Sequence, residues 1–192
     1  MKKRITLLVG AVLSVSIIKA RRQSDSKLLT EFNKQRLRTT TLGMLVLGSW
    51  AVSNFAVSGS SFSNLKDSQH YFHQMNLLWN VVNVALAGIG YYQATEKKAR
   101  SASFSQTVND YYSLRRKLLF NAGLDTAYVV GGFYLLEKAK NELNRSEQWQ
   151  GYGRSLVLQG TFLLAFDFVL YLVIRSQAKS LNNIMGKISF NN

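Results

Sequence analysis

The chain has 192 residues, no Cys and no Pro, and 24 Lys+Arg against 10 Asp+Glu, a formal charge of +14. Without Cys there is no disulfide, thiolate metal site or Cys nucleophile, and the lack of Pro, where average usage supplies about ten, points to straight helices rather than a turn-rich β fold. In a soluble protein such charge would suggest nucleic acid, but here Lys and Arg sit in blocks separated by long uncharged stretches, so no nucleic-acid partner is expected.

At the N-terminus, Lys2-Lys3-Arg4 followed by the largely apolar run Ile5 to Ile18 has the n-region and h-region of a secretory signal. The cleavage site is poor, because Ile18-Lys19-Ala20 runs into Arg21 and Arg22. Residues 1–22 therefore read as a signal-like segment or an uncleaved anchor. Residues 23–40 read as an amphipathic interfacial segment: Leu28, Leu29 and Phe32 share one helical face, with Lys27, Lys34 and Arg38 elsewhere. An ordinary solvated helical extension would carry the same pattern.

Four stretches follow without a single Lys or Arg, at 39–65, 68–95, 118–136 and 155–174. Each is close to or above the roughly 20 residues that cross the hydrocarbon layer. The expected fold is all-α, a four-helix transmembrane bundle over 41–176 with a polar tail at 177–192. A soluble four-helix bundle is the alternative, and a mean hydropathy of −0.04 permits it. Its helices would need a polar outer face, which residues 45–57 and 163–174 do not offer. The turn between the first two spans falls at 59–67, with Asp67 and Ser68 as N-caps of the second. Tyr71 and Phe72, Tyr91 and Tyr92, and Trp149 and Tyr152 mark membrane boundaries. Residues 137–148 alternate charge sign and should carry the third helix into water. Positive-inside counting places the N-terminal basic segment in the cytoplasm, whereas a working signal would reverse it. We call the face carrying residues 21–40, 94–117 and the C-terminal tail side A.

Polar residues inside the spans are the candidate site. Small residues are expected to let helices approach, and Gly123-x-x-x-Ala127-x-x-x-Gly131 offers such a seam. His73, Asn76, Asn80 and Asn83, spaced three, four and three apart, lie on one side of the second span. An unpartnered amide in hydrocarbon costs several kcal/mol, so this stripe should face protein or water, as a hydrogen-bonding seam or as a cavity lining. Counting depth at about 1.5 Å per residue puts Asp125 and Asp167 in one layer displaced toward side A, with Asn83 near it. Asn54, Asn76, Gln159 and Thr161 form a second, uncharged layer. Intramembrane acids are functional candidates by default, and protonated or amide-bonded Asp acting as structural glue is the alternative. No HExxH, Walker loop or nucleophile with a partner His occurs, so no catalytic residue, cofactor or enzyme activity is expected. Asp67-x-x-His70-x-x-His73 is better explained by capping and interfacial hydrogen bonds than by a metal.

GluPheAsnLysGlnArgLeu (31–37), GlyMetLeuValLeuGlySerTrpAla (43–51) and TyrPheHisGlnMetAsnLeuLeuTrpAsnValValAsn (71–83) resemble a family of small multi-pass membrane proteins from Bacteroidota with no assigned function. The likeness runs from about Glu31 to Arg175. It implies a bacterial envelope protein, often with an N-terminal signal, and transfers no catalytic residues. The expectation is a multi-pass protein of the bacterial cytoplasmic (inner) membrane, structural or partner-binding, with the lipid bilayer and a protein partner or second copy as its contacts. The alternative is proton, cation or small-solute transport using Asp125 and Asp167.

Overall fold

With no Pro to interrupt it, the first helix runs unbroken: α1 spans Lys2–Ser61 in the computed structural model of the chain. It is followed by α2 (Asp67–Glu96), α3 (Phe104–Asn141), α4 (Ser146–Ser176) and α5 (Ala178–Ser189). The structure describes residues 2–61, 67–96 and 103–189, and among these the chain is all-helical. The signal-like run at 5–18 continues α1 as backbone; the side chains of residues 1–15, 17 and 18 lie outside the described residues.

The first four helices form an up-down-up-down bundle. Ser58 meets Asn76 while Gly48 meets Ala87, so α1 and α2 are antiparallel. Gly132 meets Gly153 while Gly160 meets Asp125, so α3 and α4 are too. The parallel pair α2 and α4 meets in the centre, with α1 packed on α2 and α3 on α4. Glycine sets the closest approach: an added Cβ at Gly132 would lie 2.9 Å from the Gly153 carbonyl oxygen, and one at Gly153 would lie 2.8 Å from that of Gly132. The seam expected at Gly123 and Gly131 is displaced, since a Cβ at either would meet nothing within 4 Å. The packing face of α3 lies about one residue further round the helix, and the regular stripe of small residues points outward.

The packing differs along the bundle axis. At the side A end, Leu29, Phe32, Tyr111, Ile174, Leu181 and Ile184 make an apolar core like that of a soluble protein. Residues 23–40 therefore form no separate surface helix; they are mid-α1, and α3 and α5 cover their apolar face. The segment expected as a polar tail is largely α5, which docks there because Leu181, Ile184, Met185 and Ile188 recur at helical spacing. Further along, the arrangement inverts. Leu45 and Val52 on α1, Leu78 and Ile89 on α2, Phe120 and Phe133 on α3, and Phe168 and Val169 on α4 are all exposed, while Asn76, Asn80, Asn83, Ser155 and Gln159 are buried. Among the described residues, Lys19–Ser60 and Ser146–Ile188 are long and apolar enough to cross a membrane; α2 and α3, diluted by their buried amides and acid, are not in that set.

Candidate functional site

Two polar layers fill the inverted part of the bundle. The first is built on amides. Asn76 donates through Nδ2 to Ser58 Oγ at 2.7 Å and to Asn54 Oδ1 at 3.3 Å. Its Oδ1 accepts from Gln159 Nε2. Gln159 Oε1 accepts in turn from Trp50 Nε1 at 3.1 Å and Asn83 Nδ2 at 3.3 Å. His73 Nδ1 lies 3.0 Å from Ser58 Oγ. The layer thus ties α1, α2 and α4, and the Trp50 ring stacks on Phe162 with centroids 3.9 Å apart. Asn80 is fully buried but stays on its own helix, donating to the Asn76 carbonyl at 2.6 Å. Thr161, expected in this layer, is exposed: its position on α4 is two residues past Gln159, which turns it to the opposite side of the helix.

The second layer is acidic. Asp125 on α3 and Asp167 on α4 are both buried and close enough for their charges to interact. Asp125 Oδ2 receives no hydrogen bond. Both acids line a partly open cavity of about 320 Å³ to which all four long helices contribute, together with Asn83, Asn121, Trp79 and Tyr128. Asn83 serves both layers, bonding Gln159 while lining the cavity. Sequence reasoning missed Asn121, whose spacing of four from Asp125 was the available signal. It also missed Trp79, whose Nε1 is buried without an acceptor.

A second cavity of about 230 Å³ adjoins the first toward side A. It is lined by Arg36, Gln93 and Asp110, and it shares Thr40, Met44, Leu114 and Lys117 with the acidic cavity. Lys117, exposed on α3 next to the buried Leu118, thus lines both. On its other side the acidic cavity adjoins the amide layer through Asn83. Asp67, His70 and His73 form no convergent set: the His73 ring turns to Ser58 and the His70 ring stands edge-on to Tyr71. Among the described residues no group of three or more His, Cys, Asp or Glu is placed to hold a metal ion.

No curated protein and no solved structure matches the chain. A family profile matches residues 46–168, a stretch that contains His73, every amide of the first layer and both acids of the second. With that match covering most of the bundle, the chain belongs to the family described as "Family of unknown function (DUF6992)".

Proposed function

We propose that the chain is a four-span protein of the bacterial cytoplasmic membrane whose interior binds a proton or small cation between Asp125 and Asp167. The inversion of the bundle supports the membrane placement. Apolar side chains exposed on all four long helices around a polar interior would aggregate in water, and in lipid they face their preferred solvent. The observation that carries the binding role is the unpartnered Asp125 Oδ2 in a cavity shared with Asp167. Two facing carboxyls with no donor between them require a proton or a cation. The outer cavity supports access from side A.

The amide layer favours a second reading, in which polar groups only fix helix register and the protein serves a structural or partner-binding role. One experiment separates the two. Protein that stays in the pellet after alkaline extraction would be reconstituted into liposomes and assayed for proton and cation uptake with Asp125→Asn and Asp167→Asn variants. Cation handling requires either change to abolish uptake while insertion persists. Structural glue requires altered thermal stability and no uptake difference. Release of the wild-type chain by alkali would refute the membrane placement itself.

A further inference from the structure

We propose that the acidic cavity takes a small organic ammonium ion with an apolar body; this rests on the cation reading above and narrows its ligand. Size is the first argument. A volume of about 320 Å³ holds roughly ten waters at liquid density, so a proton or one dehydrated alkali ion would leave most of it unfilled.

The lining is the second. Apolar residues such as Leu47, Leu163 and Leu170 surround the polar groups, which suits a ligand with an apolar body. Trp79 and Tyr128 meet edge to face, with centroids 4.7 Å apart, and aromatic faces attract ammonium groups. Lys117 already brings one ammonium-bearing stem into this lining.

The third argument is charge. Asp125 and Asp167 both line the cavity, and among the described residues neither forms an ion pair. Two buried acids without a counter-ion favour a cationic ligand. A divalent metal fits less well, because such ions take about six oxygen ligands, whereas only two carboxylates line the cavity.

The test is calorimetric titration of the full chain in lipid nanodiscs. The probes are phenethylamine, tyramine and benzyltrimethylammonium, with phenethyl alcohol as neutral counterpart and sodium chloride as inorganic control. Saturable binding of at least one ammonium ion is expected, with none of the alcohol. Asp125→Asn or Asp167→Asn should weaken it about tenfold or more, the scale of one lost charge-assisted hydrogen bond. Leu163→Trp fills the cavity while leaving both acids in place, and it should abolish binding; it decides the matter if the Asn variants fail to fold by circular dichroism. Equal binding of the alcohol, unchanged binding in a folded Leu163→Trp variant, or no saturable binding of all three ammonium ions overturns the proposal. Asp125-dependent uptake of sodium or protons without ammonium binding overturns this ligand class alone and sustains the cation centre. No cation binding of any kind overturns both.

Discussion

Arg36 is buried at 5% exposure, held 3.2 Å from Asp110 and 3.1 Å from Asn33 Oδ1. Burial pulls its guanidinium down from the ordinary value and Asp110 opposes that pull, so the pair works as a unit at the side A end. Asp110→Ala should cost about 3–5 kcal/mol, the usual penalty for stranding a buried charge. The double change Arg36→Met, Asp110→Leu should come within about 1 kcal/mol of wild type. Thermal unfolding in detergent measures both, and equal losses in the two variants would contradict the argument. At this scale the sequence was partly readable. Asn76 and Asn83 were expected inside because an unpartnered amide is costly wherever water is excluded, and both are buried; counting depth in antiparallel helices put Asp125 and Asp167 in one layer, and both line one cavity. Which amide bonds which was not readable: Asn80 sits in the same stripe yet bonds its own helix, because partner choice depends on how closely and at what angle helices cross.

Two glycines one residue apart on α3 have opposite environments. At Gly132 a methyl group would meet the Gly153 carbonyl oxygen at 2.9 Å and the Val157 backbone nitrogen at 2.9 Å, neither of which can step aside without parting α3 from α4. At Gly131 it would meet nothing within 4 Å. Gly132→Ala should therefore destabilise by about 1–3 kcal/mol, whereas Gly131→Ala should be neutral or stabilise by up to about 1 kcal/mol through helix propensity. Denaturation midpoints in mixed micelles would show it, and a loss at Gly131 equal to that at Gly132 would count against this packing. Spacing revealed the Gly123, Ala127 and Gly131 stripe, but the glycine that meets α4 is Gly132, which has Tyr128 and Leu136 rather than small residues one turn away and so gave no periodic signal. α5 was hidden for a related reason: Lys179 and Lys187 bracket its apolar positions, so average polarity masked a periodicity that becomes decisive only beside Leu29 and Phe32.

The whole bundle combines two solvents' rules, an apolar core with polar cover at one end and the reverse beyond it. The chain has no Cys, so single introduced thiols report cleanly on this inversion. Cys at Leu78, Phe120 or Val169, which are 61%, 68% and 58% exposed, should react readily with a lipid-soluble maleimide in reconstituted membranes. Cys at Asn76 or Asn80, at 2% and 0%, should react slowly. Equal labelling of the two sets would refute the inversion. The apolar stretches made the helices legible from sequence, whereas the soluble-like end was not, because its core is assembled from segments far apart in the chain.

α1 belongs to both ends. Phe32 lies in the apolar core and Trp50 in the amide layer, 18 residues apart on one unbroken helix. At 3.6 residues per turn that is five full turns and about 27 Å, so the two rings project from the same side of the helix. A continuous helix without proline resists twisting and acts as a shaft: turning one end turns the other through nearly the same angle. Phe32→Ala should therefore be felt beyond its own pocket, at the Trp50 ring stacked on Phe162. In a Trp79→Phe, Trp149→Phe background, the remaining indole emission should shift with Phe32→Ala and stay fixed with a control change at exposed Glu31. An emission unmoved by Phe32→Ala would mean that the shaft bends between them.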